Sequence, residues 1–472
     1  MPAREAISQS SMEHAIKSMM NPRSVAIVGA SRDPSKVGRV ILQNYINTGY
    51  YGKIYPVNKN ATEDILGYKT YKSVSSIKKP IDLAVIAVPA QAVPEVLEDC
   101  GKSHVKSAIV ISGGFAEVGN TDLQDKLIGV SKKYGMPVLG PNCLGVLDMH
   151  SRINTLFLPT YKMSNPEIGG VSFVSQSGAV GSTVLDVITG EGFGLSKFVS
   201  YGNAAVIDET DMLYYLLHDK ETKVVMLYLE GIKRGSEFRK VASAITKEKP
   251  VVVLKAGRTN AGVAAAHSHT ASLAGNYAVH EALFRQCGFT VAEDLSDLIT
   301  YAKIFNTETE PNGNRVSVIT NGGGTGVLTA DAIADSGVLA LASYSEATKE
   351  KLRKAMPSIV NIAQPLDLAG DADAKRYSDA LSIVGSDAGV DMIIAIVLFQ
   401  TPGADSSVAA EVIKQKNSIG KPLVVISPGS AYTQMHKIMM EAAGVPVYDS
   451  PASAVKALTA LLNYSKYKKK EY

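Results

Sequence analysis

The sequence predicts an α/β protein whose parallel sheets are covered on both faces, and three observations predict it. Short β-branched runs recur along the chain, most closing on glycine, and each leads into a helical pattern. The runs are near-continuously apolar instead of alternating, which is the pattern of strands buried on both sides. The chain has 472 residues, 46% hydrophobic and 20% charged, which is too long for one core and ordinary for about three globular domains.

The first domain is expected over 1–150, with strands at 24-SVAIVGAS, 81-IDLAVIAVP and 107-SAIVISGG. A break near 150–168, marked by Pro159, Pro166 and 169-GG-170, opens a second domain over 151–308. Its strands are 171-VSFVSQSG, 223-KVVMLYLEG and 249-KPVVVLKAG. A second break at 307-TETEPNGN opens a third domain over 309–472, with strands 315-RVSVITNGGG, 391-DMIIAIVLF and 421-KPLVVISPG.

The second and third domains read as copies. The series 171-VSFVSQSGAVGSTVLDVI, 249-KPVVVLKAG, 288-GFTVAEDLSDLITYA returns as 315-RVSVITNGGGTGVLTADAI, 421-KPLVVISPG, 444-GVPVYDSPASAVKAL. From Lys249 to Gly288 is 39 positions and from Lys421 to Gly444 is 23, so the first copy carries 16 extra residues. Those residues hold 264-AAAHSHTASLAGN-276, with His267 and His269 among small side chains. A loop added at a strand's C-terminal end is where such folds put chemistry, which makes His269 a candidate.

Composition excludes several classes. A net charge of +3, from 48 Lys and Arg against 45 Asp and Glu, gives no broad field for nucleic acid or an anionic membrane. The basic run 466-KYKKKEY-472 reads as a frayed end. Three scattered cysteines form no CxxC, so neither a disulfide framework nor a zinc site is expected, and a reducing compartment fits. With no apolar signal core and no run long enough to span a bilayer, the expectation is a soluble cytoplasmic protein.

In the first domain, 27-IVGASRDPSKVG-38 follows a strand and opens a helix, so its turn suits a phosphate. It is not an NAD fingerprint. Position 31 is serine, the next glycine is Gly38, and 54-IYPVNK-59 ends in Asn58 and Lys59 where the ribose diol of NAD needs an acid. Lys59 suits a phosphorylated ribose or a pyrophosphate instead. The turns 86-IAVPA-90, 111-ISGGF-115 and 139-LGPNCLG-145 fit the same nucleotide-like ligand. The candidate contacts are Gly29, Ala30, Ser31, Lys36, Val37, Gly38, Val57, Asn58, Lys59, Val88, Pro89, Ser112, Gly113, Asn142 and Cys143. A ligand-free glycine turn and, for 141–143, a domain-boundary turn are the alternatives, and Cys143 reads as a packed small side chain.

Two turns join strand to helix with free backbone N–H groups: Ser175, Gln176, Ser177, Gly178 in one copy and Gly322, Gly323, Gly324, Thr325 in the other. Each alone is a tight βα turn; as a pair in repeated domains they point to one anion, such as a phosphoryl group. A P-loop fails, because Val263 and Ala264 follow Gly262 where Lys and Ser or Thr are required. Ser177 is not in GxSxG, and His267-x-His269 lacks partners for a metal. What is left is a histidine nucleophile toward phosphorus, with Glu230 at the end of its strand as the group that orients the ring; a solvated strand-end carboxylate and an exposed loop histidine are the alternatives.

The segments 20-MNPRSVAIVGAS-31, 139-LGPNCLG-145, 172-SFVSQSG-178, 200-SYGNAAVIDE-209, 252-VVLKAGRT-259 and 268-SHTASLAG-275 together resemble the α subunits of archaeal ADP-forming acetyl-CoA synthetases. These belong to the NDP-forming acyl-CoA synthetase superfamily with succinyl-CoA synthetase. The resemblance covers nearly the whole chain, and 315-RVSVITNGGGTGV-327 with 364-QPLDLAGDAD-373 resembles a domain that succinyl-CoA synthetase keeps in its β subunit. It implies a Rossmann-like domain binding coenzyme A, followed by two flavodoxin-like domains. It also implies an acyl phosphate intermediate, phosphorylation of His269 and, finally, ATP formation. His267 stands where that family has a small residue. An ATP-grasp β subunit is implied as partner, in an α2β2 assembly, holding most of the contacts to ADP or ATP and Mg; the substrates implied are phosphate and a small carboxylic acid. Two rivals remain: a non-catalytic CoA-binding regulatory module, against which His269, Glu230 and both glycine turns argue, and a nicotinamide-dependent oxidoreductase, against which Asn58 and Lys59 argue.

Overall fold

The computed structural model describes residues 9–60, 63–264 and 276–469. They form two compact units: Met1–Thr189 with Gly194–Glu293, and Gly190–Phe193 with Asp294–Tyr472.

The first unit holds two sheets. One is wholly parallel, with β1 (Ser24–Val28), β2 (Lys53–Val57), β3 (Leu83–Ile86), β4 (Ser107–Val110) and β5 (Val138–Leu139) in the order β2-β1-β3-β4-β5. The other is seven-stranded, with β6 (Gly145–Asp148), β7 (Ile153–Asn154), β8 (Ile168–Ser175), β9 (Leu195–Ser200), β10 (Val224–Leu229), β11 (Val251–Lys255) and β12 (Thr290–Ala292) in the order β12-β11-β10-β8-β9-β6-β7. β6 joins β9 antiparallel and β7 extends that edge.

Burial on both faces explains the apolar runs. Val25 and Ile27 of β1 enter one core while Ala26 and Val28 enter another, and Leu83 and Val85 part from Ala84 and Ile86 in the same way. Each such buried valine, leucine or isoleucine contributes ~1.5–3 kcal/mol relative to exposure, so a polar residue on either face would be costly. The first core continues without interruption into Val225, Leu227 and Leu229 of β10 and Val251 and Val253 of β11. A shared core is why two sheets form a single unit.

The second unit carries β13 (Arg315–Thr320), β14 (Ala340–Leu341), β15 (Leu366–Asp367), β16 (Met392–Ile396), β17 (Leu423–Ile426) and β18 (Val447–Tyr448) in the order β14-β13-β16-β17-β18, with β15 beside the end of β13. That order matches β9-β8-β10-β11-β12 strand for strand, and both read 2-1-3-4-5, the flavodoxin-like arrangement. The repeat seen in the sequence is therefore a repeat of topology. No described helix is long and apolar enough to cross a membrane.

Candidate active site

In open parallel sheets, ligands bind beyond the strand C-termini where strand order reverses. The first sheet reverses between β1 and β3, and a cavity of about 900 Å3 opens there. Gly29, Ser31, Lys36, Val37, Gly38, Val57, Asn58, Lys59, Val88 and Pro89 line it, ten of the residues expected to touch a nucleotide-like ligand. Two glycines make the turn possible. Gly29 has φ +95°, and a Cβ there would lie 2.3 Å from the Ala87 carbonyl oxygen; a Cβ on Gly38 would lie 2.1 Å from that of Gly29. Gly38 thus lets the helix Val37–Asn47 press its N-terminus, which has no side-chain cap, against the end of β1.

Asn58 holds this turn. Its Nδ2 donates to the Ala30 carbonyl at 2.7 Å and its Oδ1 accepts from the Asn60 N–H at 2.9 Å. An aspartate could not make the first bond, so the asparagine that argued against NAD also has a structural reason. Ala30 is fully buried and acts through that carbonyl. Ser112 and Gly113 lie outside both cavity walls; the Ser112 hydroxyl donates to the Val88 carbonyl at 2.5 Å and its carbonyl accepts the Asn142 N–H at 2.9 Å. Lys72 and Lys102, which sequence reading missed, add to the positive wall with Lys36 and Lys59. Of the three acids in the same wall, Glu95, Glu98 and Asp99, two are already engaged: Glu98 with Lys133 at 2.9 Å, and Asp99 with the Val74 and Ser75 N–H groups at 2.7 and 3.2 Å. Four lysines against three acids, two of them engaged, leave the cavity suited to phosphates.

The second sheet reverses between β8 and β10, and a cavity of about 670 Å3 opens there. Gln176, Ser177, Gly178 and Glu230 line it, with Asn142 and Cys143. Asn142 and Cys143 therefore belong to this cavity and not to the one around Gly29. Cys143 is 5% exposed, its thiol points at the Val110 carbonyl at 3.3 Å, and burial pushes it up to about 12. A neutral thiol fits the packed reading.

The β8 turn is built from its own side chains. Ser175 is fully buried and its hydroxyl donates to the Ser177 carbonyl at 2.7 Å. Gln176 Oε1 accepts the N–H groups of Glu230 and Gly231 at 2.8 and 3.3 Å. The helix Gly178–Glu191 then starts at the cavity wall with its positive end. Glu230, 9% exposed, is fixed at the end of β10 by this bond.

Sequence reading missed three neighbours: Asn203, Glu117 and Lys233. Asn203 Nδ2 donates to Glu117 Oε2 at 2.5 Å and to Gln124 Oε1 at 3.0 Å. Glu117 also accepts from the Gly114 and Phe115 N–H groups; against its partial burial, these bonds hold its carboxyl below the usual range. Lys233 Nζ donates to the Asn203 and Ala204 carbonyls, both at 2.9 Å. The signal for Lys233 was its place three residues after Glu230.

In the second unit, Thr320 Oγ1 donates to the Gly322 carbonyl at 3.0 Å, and Asn321 Oδ1 accepts the Leu398 N–H at 2.9 Å. These are the bonds of Ser175 and Gln176 repeated. Gly322 is the cap of the helix Gly323–Asp335; a Cβ on Gly322 would lie 2.3 Å from Leu398 Cδ1, and Gly324 faces open space. Thr325 accepts the Thr329 hydroxyl through its carbonyl at 2.8 Å. His267 and His269 lie outside the described residues.

Cavities at the reversal points of doubly wound sheets, one lined for phosphates and one pairing a glycine turn with a carboxylate, fit a CoA-ligase type of α/β protein, and family models show that class segment by segment. A CoA binding domain matches residues 23–149, a succinyl-CoA ligase like flavodoxin domain 168–305 and a Ligase-CoA domain 316–466. The chain is 40% identical to the alpha subunit of ADP-forming acetate–CoA ligase I of Pyrococcus furiosus, over 96% of this chain and 99% of that one. It is 41% identical to the ADP-forming acetate–CoA ligase of Methanocaldococcus jannaschii over 97% of its own length, but spans only 64% of that protein. The structure of dinucleotide forming acetyl-coenzyme A synthetase 1 of Candidatus Korarchaeum cryptofilum, in complex with phosphate and ADP, superposes with a TM-score of 0.90 at 37% identity, covering 96% of this chain and 97% of that one. The chain belongs to the family of ADP-forming acetate–CoA ligases, as a relative of their alpha subunits. These ligase relatives favour the catalytic reading over the regulatory module.

Proposed function

We propose that this chain is the α subunit of an ADP-forming acyl-CoA synthetase, with acetate as the acid, working through the parts 1–150, 151–308 and 309–472. The observation that carries the reading is Glu230, buried and held by Gln176 in the same cavity wall as Ser177 and Gly178. In a chain spanning nearly the whole of a named alpha subunit, this is where a phosphoryl group would be handled.

Coenzyme A occupies the cavity around Gly29 and Lys59, and its thioester end reaches the cavity of Glu230. A phosphate oxygen attacks the thioester carbonyl; the C–S bond breaks, CoA leaves as the thiol and an acyl phosphate remains. His269 attacks phosphorus through one ring nitrogen while Glu230 accepts the N–H of the other; the P–O bond to the acyl group breaks and the acid leaves as carboxylate. The β-phosphate oxygen of ADP then attacks, the P–N bond breaks and ATP forms. The turn at Ser177–Gly178 holds the transferred group through backbone N–H groups, and the turn at Gly322–Thr325 is a second phosphate-binding element. ADP or ATP and Mg sit mainly on an ATP-grasp β subunit, in an α2β2 assembly in the cytoplasm; that the Pyrococcus furiosus relatives are named alpha subunits supports the existence of a partner subunit.

Phosphoryl capture tests the reading. Incubation of the chain with acetyl phosphate, then peptide mapping of acid-labile, base-stable phosphate, should label His269. His269→Ala should abolish the label and His267→Ala should leave it. A folded chain that binds CoA and stays unlabelled, with and without the partner subunit, would refute it.

A further inference from the structure

The cavity of Glu230 is proposed to take phosphate and acyl phosphate, yet its charged wall carries two carboxylates, Glu117 and Glu230, and one cation, Lys233, among the described residues. Lys233 is held there by both its chain neighbours and its own bonds. The next residue, Arg234, donates from Nε to Asp208 Oδ2 at 2.6 Å and pairs with Asp211 at 2.9 Å, which pins the turn after β10 to the start of the helix Glu209–His218. Lys233 Nζ then reaches the Asn203 and Ala204 carbonyls. An ammonium has three N–H donors. Two are taken by those carbonyls, and the third, on a residue exposed at the cavity surface, has no acceptor among the described residues and is open to solvent.

We propose that Lys233 is a catalytic residue of the acyl-transfer step, its ammonium holding the inorganic phosphate that attacks the thioester. The inference rests on the proposed function, because it takes this cavity to be the place of that attack. A lysine in the same cavity wall as two glutamates lowers the cost of bringing a multiply charged anion there, and its third N–H supplies a charge-assisted bond where water is displaced. Desolvation lowers the Lys233 pKa, against the pull of Glu209 and Asp208 behind it. Glu230 and Glu117 line the same cavity, and Glu209 adds its pull only once it is ionised, above about 8. Above its pKa the amine is neutral and the phosphate loses its counter-charge, so binding should weaken on the alkaline side.

Equilibrium binding of labelled inorganic phosphate to the full chain tests this, with Lys233→Gln, Lys233→Arg and CoA binding in parallel. The wild type should bind phosphate with an affinity that falls as pH rises. Lys233→Arg should keep the affinity and move that fall to higher pH, because a guanidinium stays charged. Lys233→Gln should weaken phosphate roughly ten- to a hundred-fold at neutral pH, the loss of one bond to a charged group, with CoA affinity unchanged. Phosphate binding by Lys233→Gln equal to wild type would overturn the assignment, as would an alkaline fall unmoved by arginine. A lysine that only clips the 203–204 loop would instead change CoA affinity and melting temperature in step with phosphate. Phosphoryl capture on the same preparations separates the two levels: His269 labelling in a wild type that shows no role for Lys233 sinks this proposal alone. A wild type that neither labels nor binds phosphate sinks both.

Discussion

Gln176 Oε1 accepts the Glu230 N–H at 2.8 Å, so the side chain of one turn fixes the backbone that presents the carboxylate. Asn321 Oδ1 does the same for the Leu398 N–H at 2.9 Å in the second unit, where no carboxylate follows. The amide bond is thus a property of the repeated scaffold, and Glu230 is what the first copy adds to it. Removing the acceptor should act on the chemistry through position. Gln176→Met leaves the Glu230 and Gly231 N–H groups without their partner and should cost roughly 1–3 kcal/mol of stability. It should also slow His269 labelling more than it weakens CoA binding, as single-turnover capture beside CoA titration would reveal; equal losses would mean a general collapse of the site.

Glu230→Gln tests the carboxylate itself. The amide keeps the shape and can still accept an N–H, but it cannot stabilise positive charge developing on the histidine ring. Labelling from acetyl phosphate should fall roughly 10²- to 10⁴-fold, the range for losing a positioned acid–base partner, while melting temperature stays close to wild type. An unchanged labelling rate would remove Glu230 from the mechanism.

The nucleotide-like cavity depends on Asn58 donating to Ala30. Asn58→Asp replaces that donor with a carboxylate aimed at a carbonyl oxygen, in a wall that gathers four lysines. CoA affinity should drop about tenfold or more, the cost of one lost bond and one new repulsion. NADH should still not bind, because an acid at this position does not supply the missing glycine spacing. Calorimetric titration with both ligands decides it, and NADH binding tighter than CoA in either protein would overturn the cofactor assignment.

The parallel sheets and the repeat were legible because burial on both faces leaves no freedom in composition: Val25 to Val28 must all be apolar when alternate residues enter different cores. Glu230 and Gln176 were legible because they end predicted strands. The split of one ligand site into two cavities was not. Asn142 and Cys143 end up away from Gly29 because their turn is tied to the end of β9, the Leu144 N–H donating to the Ser200 hydroxyl at 3.2 Å and the Asn203 N–H to the Pro141 carbonyl at 3.0 Å, bonds between distant turns with no local signature. Gly38 shows the same limit. Its distance from Gly29 looked like a failed fingerprint, yet the two meet backbone to backbone. Gly38→Ala should therefore destabilise the first unit by roughly 1–3 kcal/mol through overpacking and weaken CoA binding, which thermal melting with and without CoA would register.

Glu209 sits behind Lys233 with 1% exposure, and its Oε1 finds no hydrogen-bond partner among the described residues. Burial, then the neighbouring Asp208, raises its pKa from 4.5 to about 8. A carboxyl raised in the fold works against stability as pH rises: above about 4.5 the unfolded chain releases a proton that the folded chain keeps, up to about 8. Across that window Glu209 should cost up to ~1.4 kcal/mol per pH unit, one proton's worth. Glu209→Gln carries no proton to lose, so its stability advantage over wild type should be small near pH ~5 and grow steadily toward pH ~8. Denaturant melts at several pH values measure the difference of slopes directly. Parallel slopes would mean that Glu209 is ionised in the fold at neutral pH, and Lys233 would then have a full counter-charge at its back, which would draw its ammonium away from the anion it is proposed to hold.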